Sequence, residues 1–392
     1  MRIVHVSDCY LPRMGGIENQ VHDLAARQSQ RGEAVHVLTA TAAAEGNGGL
    51  SRYRVTRTED TGVRVHRLAT PVTFGVPIHP RGYWLLRRAL AKLRPDVVHV
   101  HAGLISPFAW DGARAAKALG LPMVITWHSR IDGAETAIGI GAKLTGWSHT
   151  DFVASSCSRP AAARVAAAIG HDDVAVLPNG FDLQPWQAAA TRPIPSSRPG
   201  TLRVVAAQRF APRKRTVALL RAVAGAHQRL GLSNGAGRIQ LTLAGSGVQQ
   251  RLVERTIQDL SLPSVVTLLG RVPRQVLPTI YRSQDVFLSS AILENGGGAA
   301  LEARVAGLAV VARSGNGIAD HLTSGTHGIL ADSDAGLADA LVQLARQPSL
   351  LEAMRATNRA SSPHISWAYV LERADELYRR AVSQRRSAAA NI

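Results

Sequence analysis

Short apolar runs alternate with longer amphipathic segments along most of the 392-residue chain. The apolar runs have the length of buried strands, and the segments between them carry apolar residues at helical spacing, such as Ile17, Val21 and Leu24. Strands that alternate with helices form parallel sheets, so the pattern predicts an α/β fold. Predicted strands lie at 2–9, 34–39, 63–68, 96–101, 123–128, 152–156 and 174–177 in the first half, and at 202–207, 239–247, 265–272, 286–290 and 308–312 in the second.

The same pattern divides the chain into two domains. Residues 187–200, QAAATRPIPSSRPG, are rich in proline and serine and predict a linker between them. The first domain would span 1–186 and the second 201–365, and each is long enough to enclose its own core. A terminal helix over 366–383 is amphipathic, and we expect residues 384–392 to be disordered.

A glycine-rich turn in the second half carries the clearest chemical signal. Gly296, Gly297 and Gly298 stand between the apolar strand 286–290 and a predicted helix that begins near residue 299. Such a turn exposes backbone N–H groups at the positive end of the helix dipole, where phosphate groups bind. The turn therefore suits a phosphate or diphosphate.

Two glutamates bracket this turn. Glu294 precedes it, and Glu302 follows about two helical turns later. Because a carboxylate repels phosphate, we expect both residues to bind hydroxyl groups on either side of a diphosphate, which is the arrangement found in a nucleotide sugar. The alternative is that Glu294 is an N-terminal helix charge and Glu302 a solvated helix residue.

Two cations follow the first strand of the second half. Arg209 lies near the end of that strand and Lys214 precedes the next helix. Paired cations at this place can neutralise a diphosphate leaving group as the glycosidic bond breaks. The alternative is a surface basic cluster that also includes Arg213 and Arg215.

The histidines of the first half do not form a recognisable metal motif. His101 and His128 each end a predicted strand, but the spacing provides no zinc quartet, and we expect no metal. A histidine at a strand end is either structural or part of a ligand site. We interpret Asp332-Ser333-Asp334 as a turn and not as a metal-binding Asp-X-Asp motif.

The chain carries a formal net charge of +17. Such a charge is compatible with nucleic acid or with an anionic membrane surface. Residues 81–94, RGYWLLRRALAKLR, predict a basic amphipathic helix that could lie on a bilayer, or else cover the sheet with a solvated basic rim. Neither kind of binding alone accounts for Glu294, Glu302 and the glycine turn; we do not expect nucleic acid as a partner, and peripheral contact with an anionic membrane through 81–94 stays open.

The expected compartment is the cytoplasm. The chain starts directly in a predicted strand without a secretory signal, and no apolar run approaches the roughly 20 residues of a membrane span. The two cysteines, Cys9 and Cys157, have neither metal nor redox spacing and are expected in the core.

The stretch 283–330 resembles the family 4 retaining glycosyltransferases of the GT-B fold, a group that includes phosphatidylinositol mannosyltransferases and sucrose synthases. Further motifs occur in the order of that family, from Gly15-Gly16 through LPNGFD at 177–182 to Thr326-His327-Gly328. Two places depart from the family. Gly296-Gly297 stands where the family has Phe-Gly, and GNGIAD at 315–320 replaces its Gly-Gly-Ile-Pro-Glu loop.

The resemblance implies a role for each matching residue. Glu294 and His128 would contact the donor hexose, and Glu302 the ribose. Arg209 and Lys214 would stabilise the departing diphosphate. The backbone that contacts phosphate and base would be that of Gly16, Val272, Gly297, Gly298 and Ala299. We assign Gly15 and His101 to the acceptor side.

The resemblance also implies the architecture and the reaction. Two Rossmann-like domains would face each other across a cleft, the first binding the acceptor and the second the nucleotide sugar, and the terminal helix would cross back to the first domain. The reaction would move a hexosyl unit, such as mannosyl, with retention of configuration and without metal or cofactor. The donor would be GDP-mannose or a UDP-hexose, and the acceptor a hydroxyl of a glycolipid, polysaccharide or small molecule. We place the enzyme in the cytoplasm, peripheral to the inner face of the membrane.

Three alternatives remain open. A nucleotide-sugar epimerase or another GT-B enzyme, such as a phosphorylase, could share the architecture, although a phosphorylase would need a pyridoxal-binding lysine and Lys214 is the sole lysine of the second half. A basic membrane-binding or nucleic-acid-binding protein without transferase activity would explain the charge alone. A weakened relative of the family would explain the missing Phe-Gly.

Overall fold

The computed structural model describes the chain in two compact units. The first comprises Met1–Phe181 and Ile365–Ile392, and the second comprises Asp182–His364. The described residues are 1–13, 16–41, 61–68, 81–103, 105–128, 147, 151–190, 200–231, 238–361, 363 and 365–390, together with the backbone of 54–57.

An eight-stranded sheet forms the centre of the first unit, in the order β3-β4-β2-β1-β5-β6-β7-β8. Its neighbours pair in parallel except β3 and β4, which pair antiparallel at one edge. The parallel sheet predicted from the apolar runs therefore gains one antiparallel edge strand. The strands are β1 Arg2–Ser7, β2 Ala34–Thr39, β3 Arg54–Arg57, β4 Arg64–Arg67, β5 Val97–Ala102, β6 Met123–Trp127, β7 Val153–Ser156 and β8 Val174–Val176.

Helices pack on this sheet with their apolar faces inward. In the described part of the unit they are α1 Gly16–Gln30, α2 Gly82–Leu93, α3 Pro107–Ala118, α4 Arg159–Ile169 and the C-terminal helix α12 Trp367–Ala390. The local sequence sets their ends. The Ser158 hydroxyl accepts a hydrogen bond from the Ala161 N–H at the start of α4, and Gly170 ends it in the left-handed region at φ 65°.

The C-terminal helix belongs to the first unit. Its buried residues Trp367, Val370 and Leu377 pack in one cluster with Ile3 and Val124 of the sheet. The helix is longer than predicted, because it continues beyond residue 383 to Ala390. Arg385 holds this extension by donating a hydrogen bond to the Gly120 carbonyl at 2.8 Å, so the expected disorder of 384–392 is wrong up to residue 390, and 391–392 lie outside the described residues.

A six-stranded parallel sheet forms the centre of the second unit, in the order β11-β10-β9-β12-β13-β14. The order reverses between β9 and β12, which is where open α/β sheets bind ligands. The strands are β9 Thr201–Ala207, β10 Arg238–Ala244, β11 Val266–Gly270, β12 Val286–Ser289, β13 Ala309–Arg313 and β14 Gly328–Ala331. The helices are α5 Gln184–Ala190, α6 Thr216–Gly231, α7 Gln250–Asp259, α8 Leu277–Arg282, α9 Gly298–Val305, α10 Asp334–Arg346 and α11 Pro348–Ala360, with 3₁₀ turns at Pro212–Lys214, Arg274–Val276 and Gly317–His321.

The boundary between the units differs from the predicted linker. Residues 187–190 belong to α5, whose Trp186 is buried with its ring 5.2 Å from that of Tyr281. This packing assigns α5 to the second unit, which begins at Asp182 and not after residue 200. Of the predicted linker, residues 191–199 lie outside the described residues.

Candidate active site

The glycine turn before α9 has the geometry that its sequence predicts. Gly297 adopts the left-handed conformation at φ 60° directly before the helix, and a Cβ atom there would lie 2.4 Å from Ile318 Cγ1. Gly298 opens the helix, and no atom lies within 4 Å of the place its Cβ would take. The first N–H groups of a helix have no acceptor within it. This end of α9 therefore presents unpaired helix N–H groups with open space over Gly298, a geometry in which anions can bind.

Asn316 holds this turn against the loop that follows β13. Its side-chain amide donates to the carbonyls of Ala291 and Arg313 at 2.9 and 3.0 Å, and its oxygen accepts from the Ile318 N–H at 3.0 Å. The neighbouring Gly317 N–H donates to the Glu294 carbonyl at 2.8 Å. The residues that depart from the family loop thus form a defined connection between the ends of β12 and β13.

Lys214 and Glu294 meet where the strand order reverses. Lys214 ends the 3₁₀ turn after β9, Glu294 lies in the loop after β12, and their side chains form a half-buried ion pair. The Ser290 hydroxyl contacts the Lys214 and Arg215 carbonyls at 3.2 and 2.8 Å and holds the two loops together. A cation and a carboxylate therefore lie together at the ligand-binding edge of the sheet.

The other cations of this region are either bound to Asp334 or exposed. Arg215 binds the Asp334 carboxylate through two hydrogen bonds of 2.8 and 2.7 Å, and Arg313 binds the same carboxylate at 2.7 Å. Asp334 is the first residue of α10, and Ser333 caps that helix, so the predicted turn at 332–334 is instead a helix start. Arg209 is exposed beyond the end of β9. Arg215 is thus committed to structure, whereas Lys214 pairs with Glu294 and Arg209 is exposed after the end of β9.

Glu302 is buried, with 7% of its surface exposed, so the alternative of a solvated helix residue is wrong. Its carboxylate pairs with the guanidinium group of Arg274 at 3.1 Å. Burial raises the pKa of Glu302 to about 7, although the nearby Arg274 charge opposes the rise. Glu302 can therefore accept hydrogen bonds from a diol when it is ionised, and it changes its charge close to neutral pH.

The loops after β9, β10 and β11 are bound to one another at the same edge of the sheet. The Gln208 N–H donates to the Ala244 carbonyl at 3.0 Å, and the Gly245 N–H donates to the Gly270 carbonyl at 2.7 Å. Gly245 has a φ of 141°, and a Cβ atom there would lie 1.8 Å from the Gln208 carbonyl oxygen. Val272 follows Gly270 and is half-buried next to this tightly packed edge.

The first unit contains the remaining candidates. His128 directly follows β6, and its N–H donates to the Ala102 carbonyl at 2.8 Å. His101 is buried within the sheet, and its ring nitrogens contact His5 and His128 at 2.9 Å each. This placement does not support the expected contact of His101 with an acceptor. Gly16 is exposed at the start of α1, and Gly15 lies outside the described residues.

Three histidines of the first unit lie close enough to be considered for a metal ion. The ligand atoms of His5, His99 and His101 lie within 4.8 Å of one another. The facing nitrogens His5 Nδ1 and His101 Nε2, however, are 2.9 Å apart, which is the distance of a hydrogen bond between them. The geometry of this cluster is that of hydrogen-bonded rings.

Some residues at these sites were missed by reasoning from the sequence. Arg274 belongs to no recognisable sequence motif. Its pairing with Glu302 depends on how the 3₁₀ turn at Arg274–Val276 packs beside α9. His5 had a usable signal, since β1 and β5 are parallel neighbours whose register places it beside His99.

Comparison with known proteins identifies the family. The model described as "Glycosyltransferase Family 4" matches residues 14–185, and the model described as "Glycosyl transferases group 1" matches residues 189–361. The chain is 25% identical over 389 residues to a subunit of the human phosphatidylinositol N-acetylglucosaminyltransferase, covering 96% of this chain and 76% of that protein. It is 27% identical over 380 residues to a GDP-mannose-dependent alpha-mannosyltransferase of Mycobacterium tuberculosis, covering 93% of each.

A solved structure supports the same assignment at the level of the fold. The structure of Anabaena HepE in complex with UDP and glucose matches with a TM-score of 0.69 and 16% identity, covering 96% of this chain and 98% of that chain. The two family models together extend over both units of the structure. The predicted family and fold are therefore confirmed: the chain belongs to the family 4 glycosyltransferases, which have the GT-B fold.

Proposed function

We propose that the protein transfers a hexosyl unit from a nucleotide diphosphate sugar to a hydroxyl group, with retention of anomeric configuration and without an obligatory metal ion. One observation carries this proposal. The Lys214–Glu294 ion pair and the N-terminus of α9 lie at the same edge of the second sheet, where the strand order reverses. A cation for phosphate, a carboxylate for sugar hydroxyls and free backbone N–H groups are what a nucleotide sugar requires.

Each candidate site residue of the second unit then has its own role. The backbone of Gly297, Gly298 and Ala299 binds the diphosphate, and Glu302 binds the ribose diol. Arg209 and Lys214 stabilise the negative charge that develops on the departing diphosphate. Glu294 orients the hexose, and the backbone at Val272 meets the base.

The acceptor attacks the face of the hexose from which the diphosphate departs. This same-face substitution retains the configuration, and the departing phosphate accepts the proton of the acceptor hydroxyl. We propose His128 as the contact of the first unit with the hexose. Because Arg209 and Lys214 supply positive charge to the diphosphate, the reaction needs no metal ion.

The candidate donors are GDP-mannose and UDP-hexoses. The mycobacterial relative is named as GDP-mannose-dependent, and the HepE structure contains UDP and glucose, so the family relationship supports both classes of donor. We expect the base to be selected at the edge of the sheet formed by Gly270 and Val272.

We propose a lipid-linked acceptor and a peripheral position at the cytoplasmic face of a membrane. Helix α2 supports this proposal, because Trp84 is 64% exposed and Arg87, Arg88 and Lys92 are exposed near it. Exposed tryptophan beside basic residues suits an anionic bilayer surface. In the described part of the chain, no helix has both the length and the apolar character needed to cross a bilayer.

Thermal stabilisation by nucleotide sugars tests the donor proposal. The purified protein is melted with GDP-mannose, UDP-glucose, UDP-N-acetylglucosamine and ADP-glucose, each with and without EDTA, and the series is repeated with Glu302→Ala. We expect one donor class to raise the melting temperature, with EDTA having no effect and the variant losing the rise. If neither the nucleotide sugars nor the free nucleotides stabilise the wild type, the donor site is not where we place it.

A further inference from the structure

A continuous chain of buried hydrogen bonds connects His128 to the C-terminal helix. We call this chain the histidine relay. Seven of its members, all except His128, have at most 2% of their surface exposed. In order along the relay, its members are His128, His101, His5, Gln28, Tyr378, His99, Thr126 and Ser155.

The first branch runs through the rings of three histidines. His128 Nε2 is 2.9 Å from His101 Nδ1, and His101 Nε2 is 2.9 Å from His5 Nδ1. His5 Nε2 is 2.8 Å from the Gln28 side-chain oxygen. At the outer end, His128 Nδ1 is 3.4 Å from the Cys157 sulfur.

The second branch starts from the other atom of the same amide. Gln28 Nε2 donates to the Tyr378 hydroxyl at 3.0 Å, and that hydroxyl is 2.9 Å from His99 Nδ1. His99 Nε2 is 2.7 Å from the Thr126 hydroxyl, which is 2.7 Å from the Ser155 hydroxyl. Ser155 in turn contacts the carbonyl oxygen of Ile125 at 3.4 Å.

The Gln28 amide sets the direction of every bond in the relay, because its nitrogen donates to the Tyr378 hydroxyl and its oxygen faces His5. A hydroxyl group has one proton to donate, so Tyr378 donates to His99, and Thr126 donates to Ser155. Thr126 then accepts from His99 Nε2, and His99 Nδ1 accepts from Tyr378, which accepts from the Gln28 amide. Each member donates one hydrogen bond and accepts one in the relay. The direction of one hydrogen bond therefore fixes the direction of the next.

The Gln28 oxygen therefore faces His5 and accepts from His5 Nε2. His5 Nδ1 accepts from His101 Nε2, and His101 Nδ1 accepts from His128 Nε2. His128 Nδ1 is left as an acceptor beside the Cys157 sulfur, whose thiol lies within reach of both this nitrogen and the Trp127 carbonyl at 3.4 and 3.7 Å. All four rings are then neutral and protonated at Nε2.

We propose that the histidine relay holds His128 as the neutral tautomer protonated at Nε2, with Gln28 and Tyr378 as the positioning residues. His128 then offers Nδ1 as a hydrogen-bond acceptor, so a ligand hydroxyl that contacts this nitrogen must donate a hydrogen bond to it. The effect on transfer rests on the proposed function of His128, whereas the assignment of the tautomer is independent of that function.

Burial supports the neutral state of these rings. It lowers the pKa of His5 and of His128 to about 4, and it lowers the pKa of His99 and of His101 well below the usual value. A proton added to Nδ1 of His5 or of His101 would place two N–H groups against each other, because each of these nitrogens already faces the Nε2–H of the next ring.

Nitrogen NMR on protein labelled with ¹⁵N in the histidine rings tests the relay in the wild type. We expect couplings through the hydrogen bonds between His128 Nε2 and His101 Nδ1, and between His101 Nε2 and His5 Nδ1, with Nε2 as the donor in both. A His128 ring protonated at Nδ1, or without coupling to His101, would overturn the relay. The measurement needs no donor sugar and no variant.

Kinetics of two variants then tests the role in transfer. Gln28→Met and Tyr378→Phe interrupt the relay, whereas Gln30→Met makes the same change as the first at an exposed position of α1. We expect the first two variants to populate the other His128 tautomer and to lower kcat/KM about five- to tenfold, the effect of losing one hydrogen bond. Gln30→Met should change neither the His128 tautomer nor kcat/KM.

The outcomes separate the relay from the proposed function. A changed tautomer with kcat/KM equal to that of Gln30→Met would overturn the role of the relay in transfer. An intact relay in a protein that binds no nucleotide sugar would support the tautomer assignment and overturn the proposed function. A loss of stability without a change of tautomer would show that Gln28 and Tyr378 are purely structural and would overturn the proposal.

Discussion

The ammonium group of Lys214 forms an ion pair with the carboxylate of Glu294 across the two loops that follow β9 and β12. These strands are adjacent although 78 residues separate Ala207 from Val286. In the free protein the Lys214 ammonium compensates the negative charge of the Glu294 carboxylate, and the pair keeps Lys214 at the edge of the sheet. A diphosphate at the N-terminus of α9 would compete with Glu294 for this cation.

Replacing Lys214 should abolish most of the transfer activity. We expect Lys214→Met to lower kcat about 100- to 1,000-fold, as is typical for a group that stabilises developing charge. Arg213→Met is the matched control, because Arg213 is the exposed preceding residue and should retain activity. Equal losses in both variants, measured in steady-state kinetics, would mean that general surface charge and not the position of Lys214 matters.

The Lys214–Glu294 pair also predicts a non-additive double variant. Lys214→Met alone leaves the Glu294 carboxylate without its cation beside the phosphate site, and Lys214→Met with Glu294→Gln removes that uncompensated charge. We therefore expect the double variant to bind free nucleotide more tightly than Lys214→Met. Isothermal titration of the nucleotide measures the difference, and additive effects would contradict a direct coupling.

Two adjacent glycines should respond differently to the same substitution. Gly297→Ala places a methyl group against Ile318 in a left-handed conformation, so it should lower the free energy of unfolding by about 1 to 3 kcal/mol. Gly298→Ala enters open space and should leave that free energy nearly unchanged.

Gly298→Ala should nevertheless weaken donor binding. Its methyl group would occupy the space over the start of α9 where we place the diphosphate, so we expect about tenfold weaker binding. Urea unfolding and donor titration of the two glycine variants separate stability from binding. Undiminished donor affinity in Gly298→Ala would place the diphosphate elsewhere.

Ionisation of Glu302 should destabilise the second unit. The pKa of Glu302 is raised from 4.5 to about 7 in the folded protein, so the folded state binds more protons than the unfolded state between these values. The free energy of unfolding should therefore fall by about 1 to 3 kcal/mol as the pH rises through this window, and stay low above it. Glu302→Gln should not show this fall. Urea unfolding at pH 4.5 to 8 measures the difference between the two proteins.

Arg274 supplies a check on this assignment. Its charge lowers the pKa of Glu302, so Arg274→Ala should move the fall in stability to higher pH. The exposed Arg271→Ala, three residues earlier, is the control and should leave the profile unchanged. An identical pH profile in wild type and Arg274→Ala would show that the pair has no electrostatic consequence.

The first unit should have the opposite pH dependence. Burial lowers the pKa of His5, His36, His66 and His128 to about 4, so between pH 6.5 and 4 these histidines are protonated in the unfolded state and neutral in the folded state. Stability should be complete above pH 6.5 and fall by about 1.4 kcal/mol per pH unit for each histidine as the pH drops.

Unfolding monitored by near-ultraviolet circular dichroism across this pH range, with proton uptake measured in parallel, tests the histidine prediction. We expect uptake of several protons as the first unit unfolds in mild acid. Stability that is constant from pH 7 to pH 5 would contradict neutral buried histidines.

Helix α2 should control binding to anionic vesicles. Trp84→Ala and the double variant Arg87→Glu with Arg88→Glu should each weaken binding to vesicles that contain phosphatidylserine. Each arginine contributes about 1 kcal/mol near such a surface. Arg251→Glu with Arg255→Glu on the exposed face of α7 makes the same charge change and should have little effect. Equal losses from both double variants in a sedimentation assay would assign binding to net charge alone.

Local patterns predicted much of the second unit. The glycine turn, the strand before it and the helix after it are encoded within a short stretch, so these elements could be located from the sequence. The burial of Glu302 could not, because it depends on how α9 packs and where Arg274 lies. The pairing of Asp334 could not be predicted either, since Arg215 reaches it from the loop after β9 and Arg313 from the end of β13.

The relay shows where local patterns stop being informative. The histidines at 99 and 101 stand at alternating positions of one strand, but their partners lie on β1, on α12 and at the end of β6. Gln28 and Tyr378 are 350 residues apart and meet only after the C-terminal helix packs on the first sheet. Residues 384–390 were expected to be disordered, whereas they continue α12 and Arg385 ties them to Gly120.

The most direct test of the account is the transfer reaction itself, with the donor that stabilises the protein and a hydroxyl acceptor, followed by NMR of the anomeric proton of the product. The account predicts a product with the anomeric configuration of the donor, formed in the presence of EDTA by wild type and Arg213→Met and lost in Lys214→Met. A product of inverted configuration, or full activity in Lys214→Met, would contradict it.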